Sequence, residues 1–186
     1  EERLLNKQAE LEASIGAVDE VDAVYGARLG VSGQWSAIKD EWARLRDTVR
    51  DQRPIQSVDA HNRLTQHVLS LLTMVGNSSN LILDPRIDTY YLMDTLITKL
   101  PMITEYLSQI RTYGMRSAVT GILTREDETR LTILSGLTRS TIQNLLNGLE
   151  YSFEASPGLR SRLQQALNDN LFAADEFLAL LEDEIL

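Results

Sequence analysis

The sequence contains no cysteine among its 186 residues. This absence excludes a disulfide framework, a thiolate metal site and a cysteine nucleophile. Only two histidines are present, and His61 and His67 lie six residues apart, whereas a helical metal site needs a pair at i and i+4. A Glu-x-x-His motif, a P-loop, a dinucleotide fingerprint and a Gly-x-Ser-x-Gly motif are also missing. We therefore predict no catalytic residue, no metal site, no cofactor and no enzymatic activity for this chain.

Aromatic residues are scarce, at 6% of the chain, whereas 43% of the residues are hydrophobic. This balance favours packed helices. Positive charge is also in deficit, because 18 Lys and Arg stand against 27 Asp and Glu and leave a net charge of −9. Such a surface repels phosphate backbones and anionic lipid headgroups, which argues against nucleic-acid binding. No run approaches the roughly 18 to 20 apolar residues of a membrane-spanning helix, and no signal peptide is visible.

Hydrophobic residues recur at spacings of three and four, and no stretch alternates as a strand would. We predict an all-α fold, an elongated up-and-down bundle of five or six helices that resembles a four-helix bundle and forms one domain over 1–186. The helix count depends on residues 26–33, because Gly26, Gly30 and Gly33 favour either a turn between two helices or a bend in one.

Capping residues, prolines and glycines predict where the helices begin and end. Pro101 lies inside the fourth predicted helix and removes one backbone hydrogen bond, which predicts a kink. Gly114 is predicted to end that helix. The first helix is predicted to pack through a stripe formed by Leu4, Leu11, Ile15, Val18, Val21 and Tyr25. The predicted helices cover residues 1–25, Ser32 to Pro54, Ser57 to Gly76, Pro85 to Tyr113, Thr124 to Ala155, and Pro157 to the end.

Both termini lie within a helical pattern. Residues 1–5 begin without a capping residue, and residues 183–186 stop without Gly or Pro. We expect the chain to be an excerpt whose terminal helices continue on both sides, with ordinary frayed ends as the alternative.

The most specific stretch runs from residue 80 to residue 101. Asp84 is a predicted N-cap, because its carboxylate can accept the free N–H groups of a first helical turn. Pro85 suits the first helical position, where no N–H is needed. Tyr90 and Tyr91 are adjacent and face different directions, so one is predicted to pack inward and the other to line a groove. Asp94 lies one turn beyond Tyr90 and is predicted to accept its hydroxyl.

This stretch reads Asn-Leu-Ile-Leu-Asp-Pro-x-x-Asp-x-Tyr-Tyr-Leu-Met-Asp, followed by Leu-Pro at 100 and 101. It resembles a motif of all-helical extracytoplasmic sensor domains, which lie between two transmembrane helices in bacterial sensor histidine kinases and methyl-accepting chemoreceptors. The Tyr-Gly-Ala-Arg-Leu-Gly segment at 25–30 and its spacing to Trp35 and Trp42 are also similar. In that motif the residue after Asp-Pro is usually acidic, whereas here it is Arg86.

The resemblance implies a periplasmic sensor domain of a histidine kinase that detects a small molecule or a periplasmic protein. It also implies a homodimer anchored through flanking membrane helices. A chemoreceptor ligand-binding domain is one alternative, and a structural or adaptor bundle with a large exposed apolar patch is another. The candidate ligand-binding residues are Arg86, Tyr90, Tyr91, Asp94, Asn77 and Asn80, with capping, packing or a helix-end turn as the alternative roles. The implied structural residues are Asp84, Pro85, Asp88 and Pro101.

Overall fold

A computed structural model describes the backbone of residues 2–186 and the side chains of residues 6–49 and 51–186. Leu4, part of the predicted first stripe, lies outside the described side chains. The described chain is all-α, which confirms the predicted fold class. It divides into two compact units, Glu1–Leu81 and Ile82–Leu186. Within the described residues, no helix combines the length and the apolar character needed to cross a membrane.

The first unit contains three helices: α1 (Glu2–Leu29), α2 (Ser32–Thr48) and α3 (Pro54–Ser78). Pro54 was predicted to end the second helix, but it is the first residue of α3, where its missing N–H costs nothing. The chain leaves α2 earlier, through a 3₁₀ turn at Val49–Asp51. Ser32 was predicted to cap α2, but its hydroxyl donates to Asp22 Oδ1 at 2.8 Å instead.

The glycine-rich stretch turns the chain between α1 and α2. Gly30 has a φ of 70°, a left-handed conformation that glycine adopts without strain, and the N–H of Val31 donates to the Gly26 carbonyl oxygen at 3.0 Å. Gly26 itself stays helical, which extends α1 beyond its predicted end. The higher of the two predicted counts is therefore correct, because residues 2–186 contain six continuous helices.

Two equivalent sets of polar contacts join α1 to α2. Asp19 Oδ1 accepts the Trp35 indole N–H at 2.7 Å and the Lys39 ammonium at 2.6 Å. Seven residues away on each helix, Glu12 Oε1 accepts the Trp42 indole N–H at 3.2 Å and the Arg46 guanidinium at 2.9 Å. The acid with the higher residue number on α1 contacts the tryptophan with the lower residue number on α2. The pair is therefore antiparallel, with its register set by a repeated heptad.

The predicted apolar stripe of α1 is wrong for most of its members. Ile15 packs against the core of this unit, but Val18, Val21 and Tyr25 are exposed by 41%, 58% and 46%. The periodicity was correct, but the face that meets α2 carries the acidic residues described above. The core instead consists of Val31, Trp35, Ile38 and Leu71, with Leu29, Leu64, Met74 and Val75 packed against it.

The second unit is built from α4 (Ile87–Asp94), α5 (Leu100–Thr120), α6 (Arg125–Ala155) and α7 (Pro157–Glu184). A π-helical turn at Thr95–Lys99 joins α4 and α5 into one continuous helix. Arg116 of α5 pairs with Asp127, and Arg130 Nη1 donates to the Tyr113 hydroxyl at 2.6 Å. Since residue numbers rise on one helix as they fall on the other, α5 and α6 are antiparallel.

The predicted ends of these helices are partly confirmed. Thr124 caps α6 as expected, because its hydroxyl oxygen accepts the Asp127 N–H at 3.1 Å. Ser156 precedes α7 but makes no side-chain capping bond. Gly114 does not end the helix. It is buried inside α5, where an added Cβ would lie 3.2 Å from Ile185 Cδ1, and α5 ends instead at left-handed Gly121.

The core of the second unit lies between the α4–α5 helix, α6 and α7. Ile103, Leu145, Leu149 and Phe153 form its centre, and Leu159, Leu163 and Leu167 of α7 pack against them. Thr138 and Ser152 are buried within α6, and both satisfy their hydroxyl groups through backbone carbonyl oxygens.

The Asp19 contacts predict an acid-dependent loss of stability in the first unit. Hydrogen bonds from Lys39 and Trp35 lower the pKa of Asp19 below its ordinary value of 3.8. A carboxyl group with a lowered folded-state pKa stabilises the fold fully above its unfolded pKa and loses that contribution as the pH falls through the folded pKa. Asp19→Asn keeps an acceptor for Trp35 but removes the charge. We expect its melting temperature to lie below wild type at pH 7, with the gap closing below about pH 4.

Thermal unfolding from pH 2 to pH 7 measures this gap. Asp40→Asn on the exposed surface of α2 is the matched control, and it should follow the wild-type profile. A constant gap between Asp19→Asn and wild type across the whole range would contradict the role assigned to the charge.

Candidate functional site

The motif at 80–94 begins with a turn rather than with a helix. Asp84 Oδ1 accepts the Arg86 N–H at 2.9 Å, and α4 starts at Ile87. The Thr89 hydroxyl and the Arg86 N–H lower the pKa of Asp84. The prediction of Asp84 as N-cap and Pro85 as first helical residue is therefore wrong by two residues. Asp84 acts on the same kind of group, a free backbone N–H, but it closes the turn before the helix.

Asp88 links this turn to α6. Its carboxylate accepts both Arg86 Nε at 3.2 Å and Arg86 Nη2 at 2.8 Å, and its backbone carbonyl oxygen accepts the buried Ser152 hydroxyl at 2.9 Å. The Arg86 guanidinium lowers the pKa of Asp88. Asp88 is buried, whereas the Arg86 side chain is 71% exposed. Arg86 thus neutralises a buried carboxylate while most of its own surface remains open to a ligand.

The two adjacent tyrosines have different environments. Tyr91 is half-buried and stacks on Tyr151 of α6, with ring centroids 5.4 Å apart and an angle of 25°. Tyr90 is 38% exposed and meets Tyr91 edge to face at 5.1 Å. Tyr91 lies directly over Gly148, where an added Cβ would come within 2.8 Å of its Cδ1 atom. The absence of a side chain at Gly148 therefore sets how closely α4 approaches α6.

Asp94 has a partner other than the one predicted for it. Within the described side chains it forms an ion pair with Lys99 and does not accept the Tyr90 hydroxyl. The pair is largely withdrawn from solvent, with side-chain exposures of 24% for Asp94 and 15% for Lys99. The Lys99 ammonium also lies 5.9 Å from the centroid of the Tyr91 ring, a cation–π distance. Asp94, Lys99, Tyr91 and Gly148 thus form one contact cluster.

A π-helical turn, Thr95–Lys99, lies just before Pro101, where a kink was predicted. Proline lacks the N–H that would bond to the carbonyl four residues earlier, and its ring clashes with that carbonyl in an α-helix. The turn before it is wider, because the Leu100 N–H donates to the Thr95 carbonyl oxygen five residues back. π turns of this kind are rare and are often found at functional sites.

Asn77 and Asn80 form a turn at the end of α3. Both belong to the first unit, at the end of α3, where the Asn80 N–H donates to the Asn77 carbonyl oxygen at 3.1 Å. Asn80 has a φ of 56°, a left-handed conformation that asparagine tolerates. These contacts correspond to the helix-end turn that was the alternative interpretation.

The cluster joins α4 to α6 through the Tyr91–Tyr151 stacking and the Ser152–Asp88 hydrogen bond. Within the described residues, no three His, Asp or Glu side chains are grouped so as to hold a metal ion. The charges of Asp88 and Asp94 are satisfied by Arg86 and Lys99. Gly148, Tyr151 and Ser152 could not be predicted as part of this site, because they come from a helix about 60 residues further along and form no motif of their own.

Comparison with known proteins gave no match to a family model, a curated protein or a solved structure. The resemblance of residues 80–101 to sensor domains therefore rests on the motif itself.

A second surface feature of this unit is an apolar groove between α5 and α7, with a volume of about 560 Å³. Met115 and Leu180 on its rim are 62% and 59% exposed. Arg111 and Glu184 are its charged members.

Gly148 provides a direct test of the Tyr91 contact. Gly148→Ala introduces a methyl group into the space of the Tyr91 ring, whereas Gly136→Ala in the same helix meets nothing within 4 Å. Both variants gain the same helix propensity, about 1 kcal/mol. We expect Gly148→Ala to be less stable than Gly136→Ala by about 1 to 3 kcal/mol, the cost of overpacking.

Urea unfolding of the two variants measures this difference directly. Equal stabilities would show that Tyr91 moves away freely, and that Gly148 does not fix the distance between α4 and α6.

Proposed function

We propose that this chain is the extracytoplasmic sensor domain of a bacterial transmembrane histidine kinase. The observation that carries the proposal is that two features lie in the same stretch of sequence. The stretch that resembles the sensor-domain motif is also the stretch through which α4 packs on α6, by way of Asp88, Tyr91 and Ser152. A motif used in this way controls how helices pack, which is the property an input domain must change in order to signal.

In the proposed mechanism, a small molecule or a periplasmic protein binds one arrangement of the helices more tightly than another. The difference in affinity determines how far the population shifts. The terminal helices pass the change to flanking membrane helices, in a receptor that acts as a homodimer. No reaction occurs in this domain, and the kinase chemistry belongs to other parts of the receptor.

Among the predicted ligand-binding residues, Arg86 and Tyr90 are the best placed to contact a ligand. The Arg86 side chain is 71% exposed, and Tyr90 is 38% exposed. A carboxylate or phosphate ligand could compete with Asp88 for Arg86, since guanidinium binds such groups through paired hydrogen bonds. Binding would then leave the buried Asp88 carboxylate, in the first turn of α4, without its guanidinium partner. The ligand would in this way affect the packing of α4 on α6.

Two alternatives remain as proposals. A chemoreceptor ligand-binding domain would use the same residues and differ only in the output module. A structural or adaptor bundle is favoured by the apolar groove between α5 and α7, because such a bundle needs an exposed apolar surface for a partner helix.

Thermal unfolding of the purified chain with a panel of small anions and metabolites tests direct sensing. A ligand that binds only the folded state stabilises it by about 2.7 kcal/mol when present at 100 times its Kd. We expect at least one carboxylate or phosphate compound to raise the melting temperature, because Arg86 offers an exposed cationic contact.

Arg86→Gln is the matched variant, since it keeps a polar side chain but loses the charge. A hit that stabilises Arg86→Gln as much as wild type would remove Arg86 from the binding site. No stabilisation across the panel would argue against direct small-molecule sensing and in favour of a protein partner.

A further inference from the structure

The helix formed by α4, the π turn and α5 buries residues at a regular interval that is interrupted once. Asp88 and Thr95 are buried seven residues apart, and Ile103, Ile110 and Ser117 are also buried at intervals of seven. From Thr95 to Ile103 the interval is eight. A heptad repeat keeps one face of a helix directed at its neighbours, so one extra residue would rotate the second half away.

The π turn absorbs this extra residue. Its wider loop of backbone accommodates one residue more than an α turn, and Thr95 accepts the Leu100 N–H across it. The two halves of the helix therefore both face the core only while the π turn is in place. If the turn became α-helical, α5 would rotate by about 100° relative to α4, the angle that one residue covers in an α-helix.

An ion pair holds the turn in this form. Residues five apart in an α-helix point about 140° away from each other, so Asp94 and Lys99 could not pair along a regular helix. Here they do pair, and Lys99 also faces the Tyr91 ring that lies on Gly148. The pair therefore links the conformation of the turn to the contact between α4 and α6.

The same turn contains a group that destabilises its π-helical conformation. Thr95 is 7% exposed, and its hydroxyl has no hydrogen-bond partner within the described residues. A buried hydroxyl without a partner loses the hydrogen bonds that it makes in water. Asp94–Lys99 thus stabilises the π turn while Thr95 destabilises it.

We propose that the turn at Thr95–Lys99 is a register switch. In this switch α5 has two rotational positions relative to α6, one in which the π turn is present and one in which the turn is α-helical. The part of this inference that concerns signalling rests on the proposed sensor function, whereas the existence of two registers does not. In a receptor, a ligand that separates Asp94 from Lys99 would release the turn and rotate α5.

Distance measurements between paired spin labels test the switch in the purified chain without any ligand. The chain has no native cysteine, so two introduced cysteines are its only labelling sites. Ser108→Cys on α5 and Ser140→Cys on α6 report the rotation, and both positions are exposed. Ser140→Cys with Ala173→Cys, which joins α6 to α7, is the control pair.

We expect wild type to show one main distance and a minor second distance. The two should differ by at most about 8 Å, the displacement of a surface group about 5 Å from a helix axis that turns by 100°. Asp94→Asn removes the ion pair, and the minor population should rise by about five- to tenfold, the effect of losing one partly buried pair. Pro101→Ala restores the missing N–H and should shift the population in the same direction. Thr95→Val removes the unpaired hydroxyl and should reduce the minor population.

A single, unchanged distance for the α5–α6 pair in all three variants would overturn the switch. A change in the control pair as well would show general loss of packing and would equally contradict a change of register. Neither result bears on the ligand panel described above, so failure of the switch and failure of the sensor function are distinguishable.

Discussion

Pro101 cannot donate to the carbonyl oxygen of Ile97, and its ring occupies the space that this carbonyl would need in an α-helix. The π turn that precedes it satisfies both constraints, and the contacts around Lys99 depend on that turn. It brings Lys99 to Asp94 and Tyr91, and it allows both Asp88 and Ile103 to contact α6 although they lie on opposite sides of the irregularity. The direction in which the two halves of this helix face thus depends on a local irregularity of the backbone.

Much of the fold could be predicted because helical periodicity and caps act locally. Thr124 begins α6 through a contact within its own segment, since its hydroxyl accepts an N–H three residues away. The predictions that Gly114 and Pro54 end helices are wrong because each residue type has two structural uses. Glycine can end a helix or permit a close approach, and proline can end one helix or begin the next. Which use applies depends on neighbours that are distant in sequence, such as Ile185 beside Gly114.

Only the α4 side of the contact between α4 and α6 could be predicted from the sequence. The residues from Asp84 to Asp94 stand out because they form a motif, but their partners Gly148, Tyr151 and Ser152 are ordinary residues of a long helix. Asp94 was assigned to Tyr90 on the assumption of regular helical spacing. The π turn changes which side chains meet, and a partner five residues away cannot be inferred while every turn is assumed to be α-helical.

The repeated tryptophan contacts have an optical consequence. Both tryptophans of the chain lie on α2, and each indole N–H donates to an acidic residue of α1. Intrinsic tryptophan fluorescence therefore arises only in the first unit, and its emission is sensitive to the pairing of those two helices. Five of the six tyrosines lie in the second unit. Tryptophan emission thus reports the unfolding of the first unit without any label.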